Sequence, residues 1–436
     1  MDYDLIIIGA GWAGFNAALK ARGLGLKVAL VEKDALGGTC LNYGCIPTKS
    51  LIQSARTYAL VKKSAVFGIT AGDVSPDFSR IQARKDKLVG QLQSGMKSLL
   101  GGIDLLEDEA RLLSRDTLKV GQRKLKTRFI LVSSGSRPLE LPHLKIDGKR
   151  VISSNDILSL KEPPASLLII GGGVIGCEFA SLFSMLGVRV GIAEKMTQLL
   201  PGMDRDIARR IEGIFRKRGI NVMLQSDTNR LQAGIDSYEK SLLCVGRKAN
   251  SSGMGMEELG IAVENGRIVT DGNLKTAVDN IYAAGDCTST IMLAHLAAYQ
   301  GELAVENMLS SVPRKSNTAN IPSCIFTSPE IAATGLTEED ANNLSIPSRV
   351  YRFDFRGSGM AHILDETDGF IKIVSDDKSG RIMGGAIIGP RATELIGTLG
   401  LAVSCSLTVA EVSETVFAHP TISESLRDAL KSARGL

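Results

Sequence analysis

The chain has 436 residues, 44% hydrophobic and 22% charged, with a formal net charge of +4. That is enough for two or three globular domains and lies outside the compositions of disordered or fibrous chains. Aromatics make up only 5%, and the most basic segment, 205–218, also holds Asp206 and Glu212, so a solvated helix face is expected there and neither a nucleic-acid stripe nor a base-stacking platform.

The first residues, Met1-Asp2-Tyr3-Asp4, lead straight into Leu5-Ile6-Ile7-Ile8. A secretory leader would begin with a basic region, and no apolar run reaches membrane-spanning length, so a mature cytoplasmic protein is expected. Residues 4–8 read as a strand, Gly9-Ala10-Gly11-Trp12-Ala13-Gly14 as a turn, 15–24 as a helix, and 27–31 as a second strand ending at Glu32. In this context each glycine has a job. Gly9 permits the tight turn, Gly11 lets backbone approach a pyrophosphate, and Gly14 lets helix and strand pack closely. Glu32 lies where a carboxylate meets a ribose hydroxyl.

Cys40 and Cys45 follow, inside Gly38-Thr39-Cys40-Leu41-Asn42-Tyr43-Gly44-Cys45-Ile46-Pro47-Thr48-Lys49. Next to a dinucleotide turn, they suggest a dithiol that exchanges electrons with a bound cofactor. On a regular helix, positions i and i+5 lie about 140° apart, so a bridge between them needs a distorted turn, which Gly44 can supply. Pro47 suits the first turn of a helix over 48–63. A sulfur near that helix start gains from the dipole as a thiolate. The other five cysteines (Cys177, Cys244, Cys287, Cys324, Cys405) are isolated, there is no C-x-x-C pair, and His residues number four. Neither a disulfide framework nor a metal site is expected.

The strand–turn–helix pattern returns at 166–170, Gly171-Gly172-Gly173-Val174-Ile175-Gly176 and 177–186, followed by a strand over 188–193 that ends at Glu194. Two such fingerprints about 160 residues apart imply two dinucleotides, and with the dithiol they imply an electron relay. Glu194 favours a free 2′-hydroxyl, hence NAD over NADP, with Lys195 weakening that preference. Further on, 280–284 reads as a strand ending in Gly285-Asp286, before a helix over 295–309. Asp286 serves there either as a cap or as a ligand-facing acid.

Together these segments resemble the flavin-dependent pyridine-nucleotide disulfide oxidoreductases, among them the dihydrolipoamide dehydrogenases, over nearly the whole chain. The redox segment 37–49 carries the resemblance. So do Ser134-Gly135-Ser136-Arg137-Pro138 and Val245-Gly246-Arg247-Lys248-Ala249-Asn250 as crossovers between domains, 282–286 as a second flavin motif, Phe326-Thr327-Ser328-Pro329-Glu330, and His419-Pro420-Thr421-Ile422-Ser423-Glu424.

The resemblance implies an α/β fold with two Rossmann-like domains and a C-terminal α+β dimerisation domain. Residues 1–150 and 284–320 would bind FAD, 151–283 would bind NAD, and 321–436 would form the dimer. FAD would meet Gly9, Gly11, Gly14, Glu32, Gly38, Thr39, Lys49, Gly135, Asp286 and Ala294, with the role of the neighbouring His295 open. NAD would meet Gly171, Gly173, Gly176, Glu194 and Gly246.

By the same resemblance, Cys45 is the thiol against the flavin and Cys40 the one that exchanges with substrate. Lys49 and Glu178 pair near the flavin's reactive nitrogen. His419, held by Glu424, takes the substrate's proton and comes from the other subunit of a homodimer. The substrate implied is a dihydrolipoyl group, free or on a carrier protein. The alternatives are an NADH-dependent reductase of another disulfide and a redox-sensing subunit of a larger complex.

The chain also departs from the family. Residues 221–245 are too few for the small strand meander usual in the NAD domain, and Trp12 is bulkier than usual in its turn, where a contact with the flavin phosphates is expected. The last residues, 432–436, hold no second cysteine pair, which counts against mercuric- and thioredoxin-type relatives.

Overall fold

The computed structural model describes residues 1–227 and 232–432. These divide into two compact units. The expectation about the cysteine-free end therefore falls largely on residues 433–436, outside the described residues.

The first unit comprises Met1–Ser50, Ser79–Leu139 and Gly246–Thr318. At its centre lie the parallel strands Asp104–Glu107, Val28–Glu32, Tyr3–Ile8 and Arg123–Val132, in that order, with Ile281–Ala283 also paired to the last. Ile7 sits opposite Leu30 on one side and Leu131 on the other. A parallel strand is covered on both faces, which is why 5–8 is a continuous apolar run. Its alternate residues serve two cores. Leu5 and Ile7 pack with Ala17, Ala18, Ala21 and Leu303, and Ile6 and Ile8 pack with Ile130, Val132, Met256 and Ile261. The alanine face of the helix Trp12–Gly23 allows a close approach by the helix Ala294–Leu309. A Cβ on Gly301 would lie 2.1 Å from the Ala13 carbonyl oxygen.

Here the domain span differs from the sequence expectation. The stretch 246–283, expected in the NAD domain, packs into the first unit. Arg247–Ala249 runs antiparallel to Ser136–Pro138, with Lys248 opposite Arg137, while Met256, Ile261 and Ile268 fill the core beneath the central sheet of this unit. An inserted segment leaves and returns at one place, so its two crossovers become neighbouring strands.

The second unit comprises Leu51–Phe78, Glu140–Val245 and Ala319–Leu436. It holds a wholly parallel five-stranded sheet in the order Asn221–Met223, Arg189–Ala193, Ser166–Ile170, Lys240–Leu243, Val151–Ile152. A second, antiparallel sheet runs Ser323–Ile325, Glu330–Gly335, Ile382–Gly389, Phe370–Asp376, Ser348–Asp354. It buries Ile371, Ile373 and Ile387 against Leu395, Leu399 and Leu426 of the helices Ala392–Ser404 and Glu424–Lys431. The fold class is thus the expected one. Between Asn221–Met223 and Lys240–Leu243 the described residues hold one short helix, Gln232–Asp236, and no strand. Among the described residues no helix is long and apolar enough to cross a membrane.

Candidate active site

The two glycine turns are near copies. Gly9 and Gly171 have φ of +100° and +110°, a region side chains rarely enter. A Cβ on Gly14 would lie 1.9 Å from the Gly9 oxygen, and one on Gly176 would lie 2.0 Å from the Gly171 oxygen. The middle glycines differ from both. Among the described residues a Cβ on Gly173 would meet nothing within 4 Å, and one on Gly11 would meet only Gly38 Cα at 4.0 Å. The space beside each helix N-terminus is therefore open, as a pyrophosphate needs. Glu32 accepts the N–H groups of Ala10 (2.7 Å) and Asp34 (2.9 Å). Glu194, 6% exposed, accepts those of Gly172 (2.6 Å) and Met196 (2.7 Å). Both carboxylates are fixed at their strand ends with lone pairs left for a hydroxyl.

The dithiol segment is not one helix. Cys40 lies in a short helix, Gly38–Asn42, and Cys45 opens the next, Cys45–Lys62. The break lets the two thiols come within hydrogen-bonding reach of each other, which a regular helix would prevent. The break falls at Tyr43-Gly44, as expected, and positive φ occurs where the short helix begins, at Gly37 (+96°) and Gly38 (+55°). Gly44 is needed for close approach, since a Cβ there would lie 3.0 Å from the Thr39 oxygen. Both cysteines are half-buried thiols. The neighbouring Cys45 sulfur, together with burial, pushes the Cys40 thiol well up, while the Trp12 indole N–H and the charge of Lys49 pull it down. The indole N–H thus lies within reach of the Cys40 sulfur.

The segment is tied down on several sides. Asn42 Nδ2 donates to the Gly38 oxygen (2.9 Å), Gln93 Nε2 to Asn42 Oδ1 (2.7 Å), and Arg84 Nη1 to Ser50 Oγ (3.0 Å).

One cluster was not foreseen. Arg247 donates through Nε to Ser136 Oγ (2.7 Å) and through Nη2 to the Ser136 oxygen (2.7 Å) and Thr39 Oγ1 (3.3 Å). Ser136 Oγ donates to Asp286 Oδ2 at 2.6 Å. Burial pushes the guanidinium's pKa down against the opposing pull of Asp286 and Cys45, so this cation lies within electrostatic range of the dithiol. The signal lay in the crossover motifs, of which only Gly135 and Gly246 were singled out. Both of those glycines have positive φ (+69° and +128°) and open space where a Cβ would stand. Asp286 is not the cap of the next helix. It lies in the short turn Gly285–Cys287, and the helix Ala294–Leu309 is preceded by Leu293, with no side-chain cap. His295 is exposed near the start of that helix.

In the second unit His419 Nδ1 lies 2.9 Å from Glu424 Oε2, and Glu424 Oε1 accepts the Thr421 N–H at 3.2 Å. The imidazole is 79% exposed and the carboxylate 11%. The His419 hydrogen bond holds the Glu424 carboxyl below its ordinary range. The carboxylate engages Nδ1, and Nε2 is the other ring nitrogen. Glu178 is buried and accepts the Phe326 N–H at 2.9 Å.

Residues 3–301 match the pyridine nucleotide-disulphide oxidoreductase family, and 321–430 match its dimerisation domain. The chain belongs to the pyridine nucleotide-disulphide oxidoreductase family. Relatives span the whole of it. Two dihydrolipoyl dehydrogenases of Bacillus subtilis are 37% and 39% identical, covering 100% and 99% of this chain and 98% and 99% of their own. One from Zymomonas mobilis is 35% identical over 99% of this chain and 98% of its own. Among solved structures, the LpdA protein of Mycobacterium tuberculosis matches with TM-score 0.90 and 26% identity, over 98% of this chain and 99% of its own. An HOCl-induced flavoprotein disulfide reductase of Escherichia coli matches with TM-score 0.88 and 28% identity, over 99% and 100%.

FAD and NAD are the cofactors of this oxidoreductase family, and the residues fit them. Each turn is strained where only glycine fits and open where a pyrophosphate approaches. A fixed acid stands at each following strand end. Among the described residues no cluster of His, Cys, Asp and Glu could hold a metal ion.

Proposed function

We propose that this oxidoreductase is an FAD-dependent dihydrolipoamide dehydrogenase with NAD⁺ as acceptor. The observation that carries the reading is the Cys40–Cys45 pair, held within mutual reach at a helix break beside a dinucleotide turn. The full-length likeness to dihydrolipoyl dehydrogenases supports the choice of substrate.

In a homodimer, His419 of the partner subunit takes a proton from a dihydrolipoyl thiol at Nε2, with Glu424 steadying the imidazolium. The thiolate attacks Cys40 Sγ. A mixed disulfide forms, the Cys40–Cys45 bond breaks, and the electron pair stays on Cys45. Once His419 has released the first proton to solvent it takes that of the second substrate thiol, whose sulfur attacks the substrate sulfur of the mixed disulfide. This closes the lipoyl ring, breaks the bond to Cys40 and leaves Cys40 as a thiolate. The helix N-terminus at Cys45 and the nearby Arg247 charge favour the anionic sulfur. Bound FAD supplies the two-electron acceptor for that sulfur, and NAD⁺ the final hydride acceptor. Lys49 and Glu178 are assigned to the flavin's reactive end, Asp286, Thr39 and Ala294 to the rest of the flavin, and Glu194 to the NAD ribose. A cytoplasmic enzyme acting on a lipoylated carrier fits this assignment.

A second reading, an NADH-dependent reductase of another disulfide, draws on the likeness to the Escherichia coli disulfide reductase. The test is NAD⁺ reduction by dihydrolipoamide with the purified yellow protein, beside NADP⁺ and a panel of disulfides with NADH. Fast NADH formation, a weak NADP⁺ rate and loss of turnover in Cys45→Ser are expected. Normal dihydrolipoamide oxidation by Cys45→Ser would refute the reading, and turnover confined to another disulfide would favour the second.

A further inference from the structure

Trp12 opens the first nucleotide-binding helix and is the only tryptophan of the chain. Among the described residues its Nε1 is buried without a hydrogen-bond partner, an expensive condition for an N–H group. Its place is tightly determined. The Gly37 N–H donates to the Ala10 oxygen at 2.9 Å. A Cβ on Gly38 would come within 2.8 Å of Gly11 Cα, so the short helix carrying Cys40 lies directly on the turn carrying Trp12. Asn16 Nδ2 donates to the Trp12 oxygen at 2.8 Å and holds its backbone. With the two segments in contact, the Cys40 sulfur comes within reach of this N–H, which favours its anion.

We propose that the Trp12 indole N–H is an uncommitted donor to Cys40 Sγ, whose hydrogen bond is completed when that sulfur carries the electron pair. The inference rests on the role given to Cys40 above. In the second exchange step the bond between Cys40 and the substrate sulfur breaks and the pair goes to Cys40. A donor waiting at that sulfur makes it a better leaving group. A thiol needs the bond little and a thiolate needs it much, so the donor discriminates between the two states. Burial beside the turn keeps water from taking the same place. The charged and titratable groups facing Cys40 are Cys45 and Lys49, with Arg247 reaching its neighbour Thr39.

The test isolates Cys40 in a Cys45→Ser background of the flavin-loaded protein. The rate of iodoacetamide reaction at Cys40 is measured against pH and mapped by mass spectrometry. Adding Trp12→Phe, which keeps an aromatic ring and removes the donor, should raise the midpoint by about one unit. That lowers the thiolate fraction below the midpoint roughly tenfold, near the lower end of what a hydrogen bond to a charged group is worth. Because Trp12 is the sole tryptophan, the protein can also be produced with benzothienylalanine, a ring of the same shape with sulfur in place of N–H. The same rise is expected, with flavin absorbance retained. An unchanged midpoint in the benzothienylalanine protein overturns the proposal. So does loss of flavin in both proteins, which would make Trp12 a cradle residue only. The alkylation needs no substrate. A protein that shows the shift but does not oxidise dihydrolipoamide therefore sinks the substrate reading and leaves this one standing.

Discussion

Exchanging Gly173 and Gly176 separately for alanine should divide binding from stability within one six-residue turn. A Cβ on Gly176 would lie 2.0 Å from the Gly171 oxygen, about 1.5 Å short of an ordinary contact. That oxygen cannot retreat freely. Gly171 is held at φ +110°, its N–H donates to the Ala193 oxygen at 2.9 Å, and its own oxygen accepts from Cys244 Sγ at 3.3 Å. Ile169 Cγ2 and Cys244 Sγ stand 3.1 and 3.2 Å from the new methyl. Overpacking of this kind costs about 1–3 kcal/mol, against at most about 1 kcal/mol gained by removing a helical glycine. Gly176→Ala should therefore lower the melting temperature by several degrees, at ~2–4 °C per kcal/mol. Gly173 is the opposite case. Its φ of −75° suits alanine and a Cβ there meets nothing, so the protein loses at most about 1 kcal/mol of capping preference. The methyl would instead occupy the space left for a pyrophosphate. The expected outcome is a KM for NAD⁺ raised tenfold or more, with the melting temperature and flavin absorbance near those of the parent. The assays are thermal unfolding, flavin content and a NAD⁺ titration of turnover. Unchanged NAD⁺ affinity in Gly173→Ala would refute the assignment of the cradle. Equal destabilisation by both changes would refute the steric argument.

Glu424→Gln should reduce kcat for dihydrolipoamide at least tenfold with flavin and NAD⁺ binding intact, because the carboxylate orients the base; a parental kcat would show the pair to be idle. The Glu424 pKa is lowered by its bond to His419, so that contribution is present above the ordinary carboxylate pKa and lost as pH falls through the lowered value. Between pH 5 and 8 a kcat profile should accordingly show no titration of Glu424. Lys372 is buried against Asp204 (3.0 Å), Asp206 (2.8 Å) and Glu338 (2.8 Å). Burial opposes its charge, but those bonds outweigh burial and raise its pKa. Lys372→Met should cost about 3–5 kcal/mol at neutral pH by leaving Asp204 buried and unpaired. Because the Asp206 pKa is lowered by the Lys372 bond, the difference from the parent should shrink as acid protonates the carboxylates; a constant difference down to about pH 3 would count against the ion-pair account. Arg247→Met removes the support of Ser136 and, through it, Asp286, and should weaken flavin retention on gel filtration, read as the ratio of flavin to protein absorbance.

What was legible in the sequence was local. The glycine turns are decided by contacts within six residues, so the jobs given to Gly9, Gly14, Gly171 and Gly176 follow from φ and crowding alone. The strands at 166–170 and 281–283 and the helix near 294–309 were legible for the same reason. The Arg247–Ser136–Asp286 chain was not, because it joins residues 111 and 150 positions apart. Nothing in 246–283 marks its apolar residues as belonging to the first sheet; that depends on where the crossover strand Arg247–Ala249 pairs. At the dithiol the need for a broken helix was legible, and the break falls at Tyr43-Gly44 as Gly44 suggested; the entry to the short helix was not. The doublet Gly37-Gly38, which takes the positive φ values where the short helix begins, stands just outside the cysteines and drew no attention.

The two turns share one geometry, and the differences between them locate the redox chemistry. In the second, Val174 follows the middle glycine and is 42% exposed. In the first, the same position is Trp12, whose N–H is buried beside Cys40. The second turn approaches no glycine of another segment at its middle position, whereas at the first Gly11 and Gly38 face each other without side chains. That double absence of a Cβ lets a second helix lie on a nucleotide turn without displacing the space a pyrophosphate needs. A dithiol delivered there is held at a fixed distance from whatever the turn binds. A side chain at residue 38 would therefore disturb electron transfer and flavin binding together, whereas one at residue 173 would disturb only the nucleotide.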